Sequence, residues 1–168
     1  MLAAMIPFET TLTVRDRCLC LHAQRAARVL ARRFDEALRP YGLTNEQFSL
    51  LMALNRPVAA SISQIASVLG ADRTTLTAAL KPLMRDGLAT IHADTRDRRA
   101  RRAALTRAGH ERLAAALPVW LAMHEALEAT LDAPDPAQTR HGLTLLASWP
   151  GMTWPGMTAS SHNQERTS

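Results

Sequence analysis

"SISQIASVLGADRTTLTAALKPLMRDGL", residues 61–88, decides the fold. Ser61 stands three residues before Gln64, the spacing at which a hydroxyl and an amide each satisfy an orphan backbone donor at a helix start. Ile62, Ile65 and Leu69 then recur in steps of three and four, and Gly70 supplies a stop. After a short turn, Asp72 is placed to cap a second helix. Leu76, Leu80, Leu83 and Met84 are expected to face inward there, and Gly87 ends it. Two short helices joined by a tight, glycine-containing turn form a helix-turn-helix.

The residues that follow extend this unit. "LATIHA", 88–93, alternates as a short strand anchored by Leu88 and Ile91, and "HADTRDRRARRAALT", 92–106, supplies a tip and a return strand ending at Ala103 and Leu105. A helix-turn-helix followed by a two-stranded hairpin is the winged-helix arrangement. Its second helix can enter a major groove with its N-terminal residues against base edges. Here those residues are Asp72, which also caps the helix, Arg73, Thr74, Thr75 and Thr77. Arginine can read guanine bidentately, and threonine can meet a thymine methyl or a phosphate. Lys81, one to two turns on, is placed for the DNA backbone.

Five arginines crowd residues 92–106, and Arg96, Arg98 and Arg99 fall at the expected tip. Arginines on a narrow hairpin can reach a minor groove, where the negative potential is strongest over A/T-rich DNA. Asp94 and Asp97 have no reason to touch DNA; their expected task is to pair with neighbouring arginines and the turn backbone and so shape the wing. A solvated charged loop is the plainer reading of such a run in isolation. Its position after a helix-turn-helix favours the wing.

The flanks read as long helices. Residues 12–39 carry Leu19, Ala23, Ala26, Leu30, Phe34 and Leu38 at helical spacing, ended by Pro40 and Gly42. "TNEQFSLLMALN", 44–55, opens with Thr44 and Gln47 in capping relation, and Arg56-Pro57 breaks it. Thr106 caps a helix with Leu113, Leu117, Trp120, His124, Leu127 and Leu131 in a 4,3,4,3,4 seam, the pattern of a helix packed on a partner helix, with a kink expected at Pro118. Asp135 and Pro136 open a last helix. "WPGMT" occurs at 149–153 and again at 154–158, and its prolines and glycines read as a flexible tail over 149–168.

The expected fold is therefore mainly α: a winged helix-turn-helix lobe over 44–105 with a small β-hairpin wing, and N- and C-terminal helices, 12–39 and 106–148, forming a dimerisation lobe. Together these make one domain over 12–148, after an N-terminal arm, 1–11. Composition agrees. Of 168 residues 47% are hydrophobic and 4% aromatic, enough apolar surface for a helical core. Net charge is +5, and 19 of the 20 basic residues are arginine, so a polyanionic partner is expected, nucleic acid before membrane. No run of about 20 apolar residues is present, and the start lacks the basic and long apolar regions of a signal peptide, so a cytoplasmic protein without membrane contact is expected.

Residues 94–113, "DTRDRRARRAALTRAGHERL", resemble the wing motif D-x-R-D-x-R followed by LT-x-x-G of MarR-type transcriptional regulators. "DRTTLTAALKPLMRDGL", 72–88, is similar to their recognition helix, and the resemblance extends over about residues 15–148. It implies a homodimer joined through its terminal helices, binding double-stranded DNA at pseudo-palindromic operators, and released by a small-molecule effector or an oxidant. It also implies wing roles for Asp94, Asp97 and Arg98, and groove-reading roles for Arg73–Thr77.

Two further groups remain. In "CLCLH", Cys18 and His22 share a helix face while Cys20 points elsewhere, too few ligands for a closed metal site. No metal or cofactor is expected. Members of the organic-hydroperoxide-sensing branch, OhrR-like proteins, carry a reactive cysteine near the start of their first helix, and Cys20 falls in that register. That branch places tyrosines around the thiol, and this chain departs from it with Gln24 and Phe34 at those places; Cys20 and Cys18 are candidate redox sensors or, alternatively, inert buried thiols. His124, beside Trp120 on the apolar seam, is either a hydrogen-bonded core or interface histidine or, with His22 and Trp120, part of an effector pocket. No paired base, Gly-rich phosphate loop or carboxylate pair suggests an enzyme. The rival to a DNA-binding regulator is a winged-helix protein-interaction module without an operator.

Overall fold

The computed structural model describes residues 5–94, 100–131 and 135–149. Two compact units divide the chain, Met1–Thr130 and Leu131–Ser168. Among the described residues the first holds six α-helices and three strands. They run α1 Phe8–Arg17, α2 Leu19–Leu38, a 3-10 turn Arg39–Tyr41, α3 Asn45–Leu54, β1 Ala60–Ser61, α4 Ile62–Leu69, α5 Arg73–Arg85, β2 Ala89–Ala93, β3 Arg101–Leu105 and α6 Arg107–Glu128. The second unit holds α7, Pro136–Ala147, begun by the Asp135 carboxylate accepting from the Ala137 amide at 2.8 Å. No helix among the described residues is long and apolar enough to cross a membrane.

Both capping boxes form. Thr44 Oγ1 accepts from the Gln47 amide at 3.2 Å while Gln47 returns its Oε1 to the Thr44 amide at 2.9 Å, and Ser61 with Gln64 repeats this at the start of α4. A further cap comes from outside the helix. Asp35, near the end of α2, accepts the Asn45 amide at 2.7 Å and so ties α2 to the first turn of α3. Gly70 closes α4 at φ 62°, a left-handed conformation that a side chain would strain.

The single helix expected over 12–39 is two helices, the first starting at Phe8 inside the expected arm. Cys18 takes an extended backbone (φ −77°, ψ 97°) between them and its Sγ accepts from the Leu21 amide at 3.4 Å. The apolar spacing used to infer one helix starts only at Leu19, so it carried no information about residues 12–17. Even Leu19 is exposed, and α2 becomes buried only at Phe34 and Leu38.

The core gathers Leu38, Phe48, Leu50, Leu51, Ile65, Leu76, Leu80 and Leu83, all essentially free of solvent, with Leu113 and Ala116 of α6. Met84, expected inward, is 41% exposed: it lies one residue beyond the Leu76–Leu80–Leu83 stripe, and 100° per residue carries it off that face. The seam of α6 meets α2 and α3 of the same chain. Trp120 stacks on Phe48 at 5.7 Å between ring centroids, and His124 lies 4.9 Å from Phe34. Leu131 falls past the end of α6, and Pro118 lies inside that continuous helix. Arg112 adds a polar tie, donating to the Tyr41 carbonyl at 2.9 Å.

The sheet has three strands in the order β1-β3-β2, all antiparallel. The hairpin was legible in the sequence, but two-residue β1 was not. Ala103, fully buried on the middle strand, faces Ala60 on one side and Ile91 on the other. Small side chains at 60 and 103 let β1 approach.

Candidate nucleic-acid interface

The first turn of α5 is built by Asp72. Its carboxylate accepts the Thr75 amide at 2.8 Å and the Thr75 hydroxyl at 2.7 Å. These bonds, the backbone one foremost, hold the Asp72 carboxyl below the usual carboxylate range. They also occupy the Thr75 hydroxyl proton, leaving that side chain an acceptor. Thr77 donates to the Arg73 carbonyl at 2.7 Å and likewise keeps its lone pairs.

Leu76, Leu80 and Leu83 fix which way α5 turns. Helical periodicity then places Thr74, Thr77, Lys81 and Arg85 on the opposite face, with Arg73 on its flank, and all five are exposed. Arg85 was not singled out from sequence. Its position four residues after Lys81 was the available signal, and its side chain is 78% exposed beside Asp86 at 3.5 Å. The face is cationic, hydroxyl-rich and free of carboxylates along its length, suited to phosphates and base edges.

At the base of the hairpin the Asp94 amide donates to the Ala100 carbonyl at 2.9 Å. The Asp94 carboxylate is buried and accepts from Arg102 Nε, while Arg102 Nη1 donates to the Ala59 carbonyl at 2.7 Å. Arg96, Asp97, Arg98 and Arg99 lie outside the described residues. Among the described residues Arg102, assigned no role from sequence, is a guanidinium that meets Asp94. Strand alternation was the usable signal for it.

Trp120 and His124 come together, their rings 4.0 Å apart. His22 is not with them: it is exposed on α2, twelve residues or about 18 Å of helix from Phe34. Trp120 instead lines a cavity of about 360 Å³ with Phe48, Met52, Arg56, Val68 and Leu69, between α3, α4 and α6. Cys20 is exposed and receives the Gln24 side-chain amide at 3.3 Å; Cys18 is half-buried at the helix break.

Helix-turn-helix, adjoining three-stranded sheet and exposed cationic helix face together define a winged-helix protein. Comparison with known proteins narrows this: the chain belongs to the MarR family, whose model matches residues 41–100. The M. tuberculosis transcriptional regulator MosR, solved in complex with DNA, is 37% identical, with a TM-score of 0.71 over 78% of this chain and 94% of that one. The transcriptional repressor CouR, of Rhodococcus jostii, solved on a 23-mer DNA duplex, is 25% identical, with a TM-score of 0.65 over 86% of this chain and 97% of that one. The transcriptional activatory protein BadR of Rhodopseudomonas palustris is 34% identical over 88 residues, 51% of this chain, and the match spans 50% of that relative's length.

Proposed function

We propose that this chain is a sequence-specific double-stranded-DNA-binding transcription regulator. It acts as a cytoplasmic homodimer on a pseudo-palindromic operator, without enzymatic activity. The observation that carries this reading is the exposed α5 face, Arg73, Thr74, Thr77, Lys81 and Arg85, held on a rigid core beside a hairpin. The two relatives solved on DNA support it. Two copies of α5 must stand about 34 Å apart to engage successive major grooves. The terminal helices supply apolar surface for pairing: Ile6, Phe8 and Val14 at the start, and Leu143, Leu145 and Leu146 on α7, all exposed in the single chain. Arg96, Arg98 and Arg99 contact the minor groove in this reading, and Asp97 helps shape the wing.

Release follows from the dimer geometry, because whatever changes the spacing of the two α5 helices shifts the population away from the bound form. Two inputs are available. The cavity beside Trp120 is of a size that takes small molecules. The exposed Cys20 thiol, contacted by Gln24, is open to oxidant. We take the protein to be a repressor. The deciding experiment is a footprint on the DNA flanking its own gene, with and without hydroperoxide and reductant. Protection lost with oxidant and regained with reductant supports the whole reading. Oxidant-insensitive protection leaves the regulator and removes the thiol, and absence of any sequence-dependent protection favours a protein-interaction module.

A further inference from the structure

Among the described residues, Asp94 is the one charged side chain that is buried, at 7% exposure. Burying a carboxylate costs free energy that hydrogen bonds and a nearby countercharge offset. One countercharge, Arg102, arrives by strand register. His92 is paired with Arg102, so Asp94, two residues on, is the diagonal neighbour of Arg102 on the same face. A lysine could neutralise Asp94 from there as a point charge. A guanidinium does more, because its fork directs separate N–H groups at separate acceptors.

The second acceptor lies far away in sequence. Arg102 Nη1 donates to the carbonyl of Ala59, 43 residues earlier. Ala59 immediately precedes β1, where Ser61 is paired with Arg102, and Ser61 is also the residue that caps α4. One side chain therefore touches the outgoing end of the hairpin, its own return strand and the lead-in to the helix-turn-helix.

We propose that Arg102 is a positioning residue: by bridging Asp94 and the Ala59 carbonyl it fixes the base of the hairpin to the start of α4, so that hairpin and α5 meet a duplex as one body. The consequence for affinity rests on the DNA-binding reading above; the bridge itself can be tested without DNA. The competing account makes Arg102 a phosphate contact. Two of its nitrogens are already engaged inside the protein, which argues against that.

The two accounts differ in sign at Asp94. If charge alone matters, Asp94→Asn removes a negative charge near the duplex and tightens binding. If Asp94 holds Arg102 in place, the same change weakens binding, on the order of tenfold for a lost charged hydrogen bond. Full-length wild type, D94N, R102K, R102Q and D94N/R102Q would be titrated against the duplex protected in the footprint, across a range of salt, well below each melting temperature. E111Q serves as control, removing a carboxylate from the exposed Arg107–Glu111 pair on α6. Expected are weaker binding for D94N, R102Q and R102K alike, and a double variant no worse than the poorer single one. Because R102K keeps the charge, its weaker binding would mark lost positioning and not lost charge. Tighter binding by D94N, or full rescue by R102K, overturns the proposal.

Hydrogen exchange on the free proteins decides the bridge independently. R102Q and D94N should lose protection at the Asp94 amide and also at Ala60–Ser61 on β1. Loss confined to the hairpin, or no loss, overturns the proposal whatever the DNA result. If the wild type binds no duplex selectively, the regulator reading fails while the exchange comparison still decides the bridge.

Discussion

Gly109 packs directly beneath the carbonyl of Leu88, so close that a Cβ at position 109 would collide with that backbone oxygen and press within 3.2 Å of Leu105 Cδ2. The same turn of α6 is fastened at its start. The Thr106 hydroxyl donates to the Gly87 carbonyl at 2.6 Å and accepts the Gly109 amide at 3.0 Å, and the Thr106 amide donates to the Leu88 carbonyl at 3.1 Å. The "LTRAG" run is thus the joint between the end of α5, the start of β2 and the long helix α6. The nearest atoms a methyl would meet are backbone, which cannot swing aside as a flexible side chain can.

Gly109→Ala is therefore expected to destabilise the protein by about 1–3 kcal/mol, the usual cost of overpacking a site that cannot relax. Gly142→Ala, in α7 with nothing within 4 Å of the added methyl, should gain roughly 0.5–1 kcal/mol through helix propensity. Denaturant midpoints of the two variants check the pair. Equal effects would show that the contact with Leu88 is not what makes glycine necessary at 109.

The cap of α5 should respond to acid in a defined direction. The native pKa of Asp72 is depressed by its bonds to Thr75, so its stabilisation is fully present above the ordinary value of about 3.9. It is lost as pH falls through the lower native value. The stability gap between wild type and Asp72→Ala, followed by chemical denaturation, should stay level near neutrality and close below about pH 4. Asp72→Asn, which caps without a charge, should show no such closure.

Salt dependence separates the residues of the α5 face. Lys81→Ala and Arg85→Ala should each weaken binding across all sequences and lower the salt slope by about one, as for phosphate contacts. Arg73→Ala should cost about 1–3 kcal/mol on the preferred duplex and relax discrimination against base changes. Fluorescence-anisotropy titrations at several salt concentrations on matched and altered duplexes measure both quantities. An Arg85→Ala protein with an unchanged slope would remove Arg85 from the interface.

The exposed leucines of α7 can be tested through assembly. Leu143 and Leu146 lie one turn apart and are 54% and 48% exposed in the single chain. If a second copy covers them, Leu146→Glu buries an unpaired carboxylate and shifts the equilibrium towards monomer. Sedimentation velocity at micromolar protein checks this, and operator affinity should fall in parallel. A variant that remains as associated as wild type places the pairing surface elsewhere.

Local chemistry settled most of the helix starts from sequence alone. Thr44–Gln47, Ser61–Gln64, Asp72 and Thr106 cap their helices because side chain and orphan amide are at most three residues apart. The Leu76–Leu80–Leu83 stripe likewise fixed which side of α5 faces outward, and with it the candidate interface. Three things needed the folded chain. Strand β1 is too short to show a period and exists only because β3 has an open edge beside Ala60. The α6 seam announced that a helix would cover it but not which one, and α2 and α3 of the same chain do so through Phe34 and Phe48. Arg102 reads as one more arginine in a charged run until the fold places the Ala59 carbonyl 2.7 Å from it. Periodicity and capping act over a few residues, whereas a hydrogen bond across 43 residues depends on every element packed between its two ends.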